Sequence, residues 1–299
     1  SELRRRGAGV RASSYHRAGN GALLELDYER LFSGGEGVQI MRDDLQDILY
    51  SKARELAEFR FGTSINAIKH GEEQAQVALS DGSHETFEVV IGADGLHSAV
   101  RSASFNNQAI EHHYLGLCSA AYDLPNIFAL EHKFETHMER DRYVVVFTTP
   151  KKRLATVFVW TTMMREAPSS RERHTTLLEA YVDTPPFVRR ILNHCPTDGM
   201  FYMDPLIQVR MRNWYQGQSV LVGDAAHCMT LISGQGATMA FTGACVLAEK
   251  LVDYPPANAF LAYQNELAPI VSDVHVSYTH LRAHETRHDL VCRLLLEKK

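Results

Sequence analysis

Two short runs of consecutive apolar residues stand out from the alternating pattern that fills much of the chain. Val89-Val90-Ile91 and Val220-Leu221-Val222 are uninterrupted by any polar side chain. A strand buried on both faces of a parallel sheet has this composition, whereas a half-buried strand alternates. The two runs therefore predict buried strands of one α/β domain.

Two segments with apolar residues at helical spacing lie on either side of these runs in the chain. Residues 41–57 place leucine, isoleucine and alanine side chains on one face, and residues 237–252 form a second apolar helix directly after a glycine-rich loop. Between 58 and 88 the pattern alternates in short segments broken by His70-Gly71 and Asp81-Gly82, which are turn signals. The chain thus predicts mixed α/β structure on both sides of its centre.

The central third has a different pattern. Residues 142–162 contain two β-branched runs joined across Pro150-Lys151-Lys152, which predicts a hairpin, and 173–192 predict a helix. Phe158 and Trp160 on the hairpin either line an apolar pocket or fill the core. We predict that 1–104 and 200–275 form one discontinuous α/β domain, and that 105–199 form an inserted β-rich domain.

Composition excludes several classes of protein. The 299 residues are 45% hydrophobic and 22% charged, which is enough for a sizeable core, and the net charge of −5 argues against a nucleic-acid partner. No apolar run reaches the ~18 residues of a membrane span, and the N-terminus lacks the apolar segment of a signal peptide. Five cysteines without a C-x-x-C pair favour a reducing cytoplasm.

The last 24 residues, 276–299, differ in character from everything before them. The string "VSYTHLRAHETRHDLVCRLLLEKK" resembles one translated frame of a sequencing-library adapter. We therefore expect a non-native tail, whose deletion leaves stability and binding unchanged. The alternative is a natural basic helix that carries Leu290, Leu294 and Leu295 on one face.

The segment "GDAAHCMTLISGQGATMAF" carries the first chemical signal. Asp224 follows a buried strand, at the edge where α/β sheets bind ligands, and its carboxylate can accept hydrogen bonds from hydroxyl groups. Gly234 and Gly236 permit close backbone approach, and the start of the next helix favours negative charge. The alternative is a turn that serves only strand-to-helix packing. The cofactor-binding residues predicted here are Gly223, Asp224, Gly234, Gln235, Gly236 and Ala237.

A second signal is "VVIGADGLHSAVR", residues 89–101. A buried strand ends in Asp94-Gly95, and Ser98 is placed to begin a helix. Arg101 near a helix start opposes the helix dipole unless an anionic group such as a pyrophosphate lies there. An ordinary strand–turn–helix is the alternative. Arg42 in "IMRDDL" is a third candidate, although alone it is typical of a solvated surface charge.

Together the three segments resemble the class A flavoprotein monooxygenases, the family that includes p-hydroxybenzoate hydroxylase. The resemblance implies that Asp224 holds the ribityl chain of FAD and that Asp94, Gly95 and Arg101 take part in binding FAD and NAD(P)H. It implies that Arg42 touches the cofactor. The implied fold is α/β, a three-layer FAD-binding domain of the p-hydroxybenzoate hydroxylase type with an inserted β-sheet substrate domain.

Two departures from the family pattern stand out. Thr230-Leu231 occupies the position where relatives often have proline, so this loop is less constrained. The G-x-G-x-x-G loop of the family's first βαβ unit does not occur in the chain. We therefore expect a chain that lacks its first βαβ unit and, as written, binds FAD weakly or not at all.

The function implied by the resemblance is hydroxylation of an aromatic or polycyclic small molecule by FAD, NAD(P)H and O₂. A related FAD-dependent reductase or halogenase and a non-catalytic fragment are the alternatives. No side chain is assigned a catalytic role, because the flavin supplies the reactive chemistry. His227 is interpreted as structural, His112-His113 as part of a solvated loop, and no metal site is predicted.

Overall fold

The computed structural model describes residues 2–17, 22–27, 38–105 and 110–284. The chain forms two compact units. The first contains Ser1–Phe59 and Gly116–Leu206, and the second contains Arg60–Leu115 and Ile207–Lys299. Within the described part of the chain, no helix is both long and apolar enough to span a bilayer.

A seven-stranded sheet dominates the first unit, in the order β11-β7-β10-β9-β8-β1-β2. Its strands in chain order are β1 (Ala12–Arg17), β2 (Ala22–Asp27), β7 (Ile110–Pro125), β8 (Lys133–Met138), β9 (Arg142–Thr148), β10 (Arg153–Thr161) and β11 (Tyr202–Met211). The β9–β10 pair is antiparallel, which confirms the predicted hairpin. The helices of this unit are α1 (Glu2–Arg6), α2 (Arg42–Ala53), α4 (Ser170–Ala180) and α5 (Pro186–Leu192).

The core of the first unit forms where α4 and α5 pack on this sheet. Val144 and Phe158 from the sheet share one buried cluster with Leu177 of α4 and Ile191 of α5. Phe158 is fully buried and Trp160 is 5% exposed, so both fill the core rather than line an open pocket.

The predicted single helix over 173–192 is wrong, because the structure has two helices there. A proline at the first position of a helix is favoured, and the residue before a proline is biased away from helical geometry. The first helix ends at Ala180, and the pair Pro185-Pro186 begins the second, with Pro185 as the N-cap residue of α5.

The second unit contains two small sheets. One is antiparallel and consists of β3 (Ile65–His70), β4 (Ala75–Leu79) and β5 (His84–Phe87). The other has the order β12-β13-β6 and consists of β6 (Val90–Gly92), β12 (Tyr215–Gln216) and β13 (Ser219–Leu221). The helices are α3 (Ala99–Ser104), α6 (Asp224–His227), α7 (Gly236–Asp253) and α8 (Pro256–His284).

The two apolar runs meet as predicted. β13 pairs with β6 in parallel, with Val220 opposite Ile91 and Leu221 opposite Gly92. Val220 and Leu221 are fully buried, but Ile91 is 47% exposed. The prediction that residues 89–91 are buried on both faces is therefore wrong for Ile91, because β6 lies at the edge of its described sheet.

The compact units differ from the predicted domain bounds at the N-terminal side. β1 pairs with β2 and, in parallel, with β8, so residues 12–17 and 22–27 join the sheet of the first unit. The predicted division into 1–104 with 200–275 and 105–199 stays a prediction. His112 and His113 lie in β7, so their placement in a loop is wrong. The predicted tail lies outside the described residues from 285 onward, and α8 includes the backbone of 276–284.

Candidate cofactor site

The end of β13 sets up the first part of the site. Gly223 has φ +60° and is the N-cap residue of α6. A Cβ added there would lie 3.0 Å from Cβ of Ala240 in α7, which is tighter than ordinary van der Waals contact. Only glycine combines this backbone conformation with so close an approach to a helix. The strand can therefore end directly against α7.

Asp224 and the glycine loop come together as the motif predicts. Asp224 is the first residue of α6 and is half-buried. Its Oδ1 lies 3.9 Å from the position that a Cβ on Gly236 would occupy. Gly234 takes a left-handed conformation with φ +61°, and no heavy atom lies within 4 Å of its Cβ position. The carboxylate thus borders the open loop that leads into α7.

The loop ends at a helix N-terminus. Gln235 is the N-cap residue of α7, which runs for 18 residues from Gly236 and has Ala237 in its first turn. The first N–H groups of an α-helix have no acceptor within the helix and carry partial positive charge. Together with the Asp224 carboxylate, this loop offers donors for an electron-rich group and an acceptor for hydroxyl groups.

Asp94 organises the turn after β6. Its carboxylate accepts hydrogen bonds from the Ser98 hydroxyl at 2.5 Å and from the backbone N–H groups of Ala99 at 2.7 Å and Val100 at 3.1 Å. Ser98 is the N-cap residue of α3, and its Oγ accepts from the Arg101 N–H at 2.9 Å. Asp94 therefore fixes the start of α3, and Gly95 follows it with φ +80°.

Arg101 is buried, with 3% of its surface exposed. Its guanidinium donates to the backbone oxygen of Ala225 at 2.8 Å and to that of Leu96, and it lies 3.4 Å from Nε2 of His112. Burial lowers the pKa of Arg101, and the nearby Asp94 charge acts in the opposite direction. The sequence predicts an anionic ligand for Arg101, whereas its described acceptors are carbonyl oxygens that join the 94–96 turn to the start of α6.

The predicted site residues fall in both units. Arg42 is exposed and is the first residue of α2, in the first unit. The other nine lie in the second unit, where the structure brings Asp224 to the 234–236 loop and links the Asp94 turn to α6 through Arg101. Sequence reasoning missed the Ala225 carbonyl, because a backbone acceptor has no residue-type signal.

His227 is a structural residue in this arrangement. It is 2% exposed, and its ring centroid lies 4.8 Å from that of Trp214. Burial lowers the pKa of His227 to about 4, so the imidazole is neutral near neutral pH. Its burial against Trp214 agrees with the interpretation of His227 as a structural residue rather than a catalytic one.

Thr230 is strained, which leads to a first prediction. It has φ +77° and ψ 157°, a region occupied almost only by glycine. We expect Thr230→Gly to raise the free energy of unfolding by about 1 kcal/mol, because relieved strain exceeds the added chain entropy of glycine. Urea denaturation measures this change. The matched variant Thr242→Gly lies inside α7, where the lower helix propensity of glycine should lower the free energy of unfolding by roughly 0.3–0.5 kcal/mol. Destabilisation by Thr230→Gly would contradict the assignment of strain.

The geometry and the fold together define a class of protein. The FAD binding domain family matches residues 4–274, which is most of the chain. The chain belongs to this family.

Particular relatives agree with this family assignment. A flavin-dependent monooxygenase from an unknown prokaryotic organism is 30% identical over 246 residues, which cover 80% of this chain and 63% of the relative. A flavin-dependent monooxygenase of Legionella longbeachae is 30% identical over 224 residues, covering 74% and 57%. The chain thus spans about three fifths of the length of these curated relatives.

Solved structures confirm the fold class. The tetracycline destructase Tet(55) superposes with a TM-score of 0.83 at 24% identity, covering 97% of this chain and 74% of the other. Klebsiella pneumoniae HpxO, complexed with FAD and uric acid, gives a TM-score of 0.82 at 18% identity, covering 99% and 78%. The predicted α/β fold of the p-hydroxybenzoate hydroxylase type is confirmed.

The residues around Asp224 fit a flavin nucleotide. The open space at Gly234, the half-buried carboxylate and the N-terminus of α7 occur within one loop of the second unit. FAD presents ribityl hydroxyl groups that suit a carboxylate acceptor, and electron-rich ring atoms that suit backbone donors. These observations support the assignment of this loop to the cofactor.

Proposed function

We propose that this protein is an FAD-dependent monooxygenase that uses NAD(P)H and O₂ to hydroxylate an aromatic or polycyclic small molecule. The observation that carries the proposal is the approach of Asp224 Oδ1 to Gly236 at the start of α7. Bound FAD supplies the electron transfer and oxygen chemistry that protein side chains lack. The side chains of the chain would then bind and orient the cofactor.

Eight of the ten predicted residues are given a part in this proposal. Asp224 accepts hydrogen bonds from the ribityl hydroxyl groups, and the first turn of α7 stabilises negative charge on the reduced ring system. Gly234, Gln235, Gly236 and Ala237 let the backbone approach the ring. Asp94 and Arg101 hold the turns in position through the hydrogen bonds described above. Arg42 is proposed to touch the cofactor by family resemblance.

The substrate class rests on the relatives. HpxO was solved with uric acid, and Pseudomonas aeruginosa PqsL with 2-aminobenzoylacetate. Both ligands are small molecules that contain a ring. Their occurrence in proteins of the same fold supports a small ring-containing substrate for this chain.

We also propose a cytoplasmic location, because the cysteine pattern favours reducing conditions.

The role of Asp224 leads to a second prediction. In this chain joined to the strand–GxGxxG–helix unit of a relative, which supplies the loop that the sequence lacks, we expect Asp224→Ala to weaken FAD binding at least about tenfold, since a half-buried acceptor for the ribityl hydroxyls is lost. Quenching of flavin fluorescence during titration measures the affinity. Asp253→Ala removes the same charge at the last residue of α7 and should leave binding unchanged.

The reaction itself is tested in the same preparation. Bleaching of the flavin absorbance by NADH or NADPH, followed by incorporation of labelled oxygen from O₂ into a ring-containing substrate, would support the proposal. Equal FAD affinity for Asp224→Ala and the parent chain would contradict the assigned site. Flavin reduction without oxygen incorporation for any ring-containing substrate would instead support the reductase alternative.

A further inference from the structure

Three side chains in the first unit form a histidine–glutamate cluster, defined as His16, Glu135 and His137. β1 and β8 are parallel neighbours, and His16 pairs directly with His137. Glu135 lies two residues before His137, so both point to the same face of β8. One ligand atom from each of the three residues lies within 4.8 Å of the others.

The surroundings of the cluster leave one nitrogen unsatisfied. Nε2 of His16 is hydrogen-bonded to Oε2 of Glu135, which is 8% exposed. The ring of His137 stacks between His16, at 4.6 Å between centroids, and Phe187, at 3.8 Å. Among the described residues, buried Nε2 of His137 has no hydrogen-bond partner. An unsatisfied buried polar atom calls for a partner, and beside two other potential ligands a bound ion can supply one.

We propose that the histidine–glutamate cluster binds a divalent ion of the zinc class. Two imidazole nitrogens and a carboxylate oxygen are a common zinc ligand set, with the fourth position open to water. Tetrahedral bonds of about 2.0–2.1 Å place ligand atoms roughly 3.3 Å apart. Given the present upper limit of 4.8 Å, the side chains need to close by at most about 1.5 Å. The His16 side chain, which is 24% exposed, is the one placed to move, because the His137 ring is stacked against Phe187.

Lys133 is the charged group that opposes this ion. Its Nζ lies 3.4 Å from Oε1 of Glu135 and 3.2 Å from Oε1 of Glu25. Oε2 of Glu135 points to His16, so the ion and the ammonium group use different oxygens of one carboxylate. Glu25 supplies a second negative charge for the lysine. The site is therefore compatible with Lys133, but removal of that positive charge should strengthen metal binding.

The ion would act as a cross-link within the sheet. His16 and Glu135 are separated by 119 positions in the chain, and only β1–β8 pairing brings them together. Metal bound to the folded protein but not to the unfolded chain stabilises the fold by mass action. The sequence predicts no metal site, because ligands so far apart in the chain form no recognisable spacing motif.

The test uses the full chain after removal of metal with a chelator. His280, His284 and His288 are replaced by glutamine in all samples, because they are alternative ligands by sequence. Cobalt is titrated first, since its visible spectrum reports nitrogen and oxygen ligation, and zinc is then added to displace it. The variants are His16→Gln, Glu135→Gln and Lys133→Gln, and His84→Gln in β5 is the matched control.

We expect one ion per chain, at least about tenfold weaker binding in His16→Gln and Glu135→Gln, and tighter binding in Lys133→Gln. Zinc should raise the melting temperature of the parent and of His84→Gln. Because His16 is on β1 with its side chain partly exposed, His16→Gln is expected to fold. Equal cobalt affinity in the parent and His16→Gln, or no cobalt spectrum in the parent, would overturn the proposal.

Discussion

Replacing Arg101 with methionine is expected to lower the free energy of unfolding by about 3 kcal/mol. The guanidinium is 3% exposed and donates to the backbone oxygens of Leu96 and Ala225. Methionine fills similar space but donates nothing, so two carbonyl groups lose charged donors in a buried setting. The link between the Asp94 turn and α6 is lost with them.

Urea denaturation measures this loss of unfolding free energy. Two further variants separate the contribution of the buried hydrogen bonds from that of charge alone. Arg60→Met removes an arginine of the same unit whose ion pair with Glu85 is exposed, and should cost less than about 1 kcal/mol. Arg101→Lys keeps the charge but not the planar fork of donors. We therefore expect it to lower the free energy of unfolding by most of the amount lost in Arg101→Met. A loss for Arg101→Met no larger than that for Arg60→Met would show that the link does not stabilise the fold.

Local patterns predicted the parts of the fold that depend on neighbouring residues. The β9–β10 hairpin and the helix at 236–253 are encoded by periodicity within a few turns of chain, and both are present. The start of the second helix after Pro185 is also a local feature, and the proline pair in the sequence indicates it. The number of strands that lie beside each apolar run is not encoded in the local sequence. No local pattern states that β6 lies at an edge and exposes Ile91.

Long-range pairing explains the larger differences. β1 pairs with β8 across more than a hundred residues of chain. The six residues of β1 contain no pattern that indicates which strand they will pair with. The same limit applies to the site. Asp224 and Gly236 lie within one continuous motif and were predicted together. The Ala225 oxygen that accepts from Arg101 is 124 positions away and has no side-chain identity.

Acid destabilisation centred on His227 is the second large effect that we expect. Burial lowers the pKa of His227 to about 4, against about 6.5 in an unfolded chain. Below about pH 6.5 the unfolded chain binds a proton that the folded protein does not, so the stabilising contribution is full above that pH. It is lost as the pH falls toward 4. The total is about 3 kcal/mol, of which about 2 kcal/mol falls between pH 7 and 5.

The contribution of His227 is separated from the others by substitution. Burial also lowers the pKa of His275, and that of His137 to about 4, so the parent has a larger pH dependence than one group gives. We expect His227→Leu to reduce the loss of unfolding free energy between about pH 7 and pH 5 by about 2 kcal/mol, measured by urea denaturation. An unchanged slope in His227→Leu would contradict the lowered pKa of this imidazole in the folded protein.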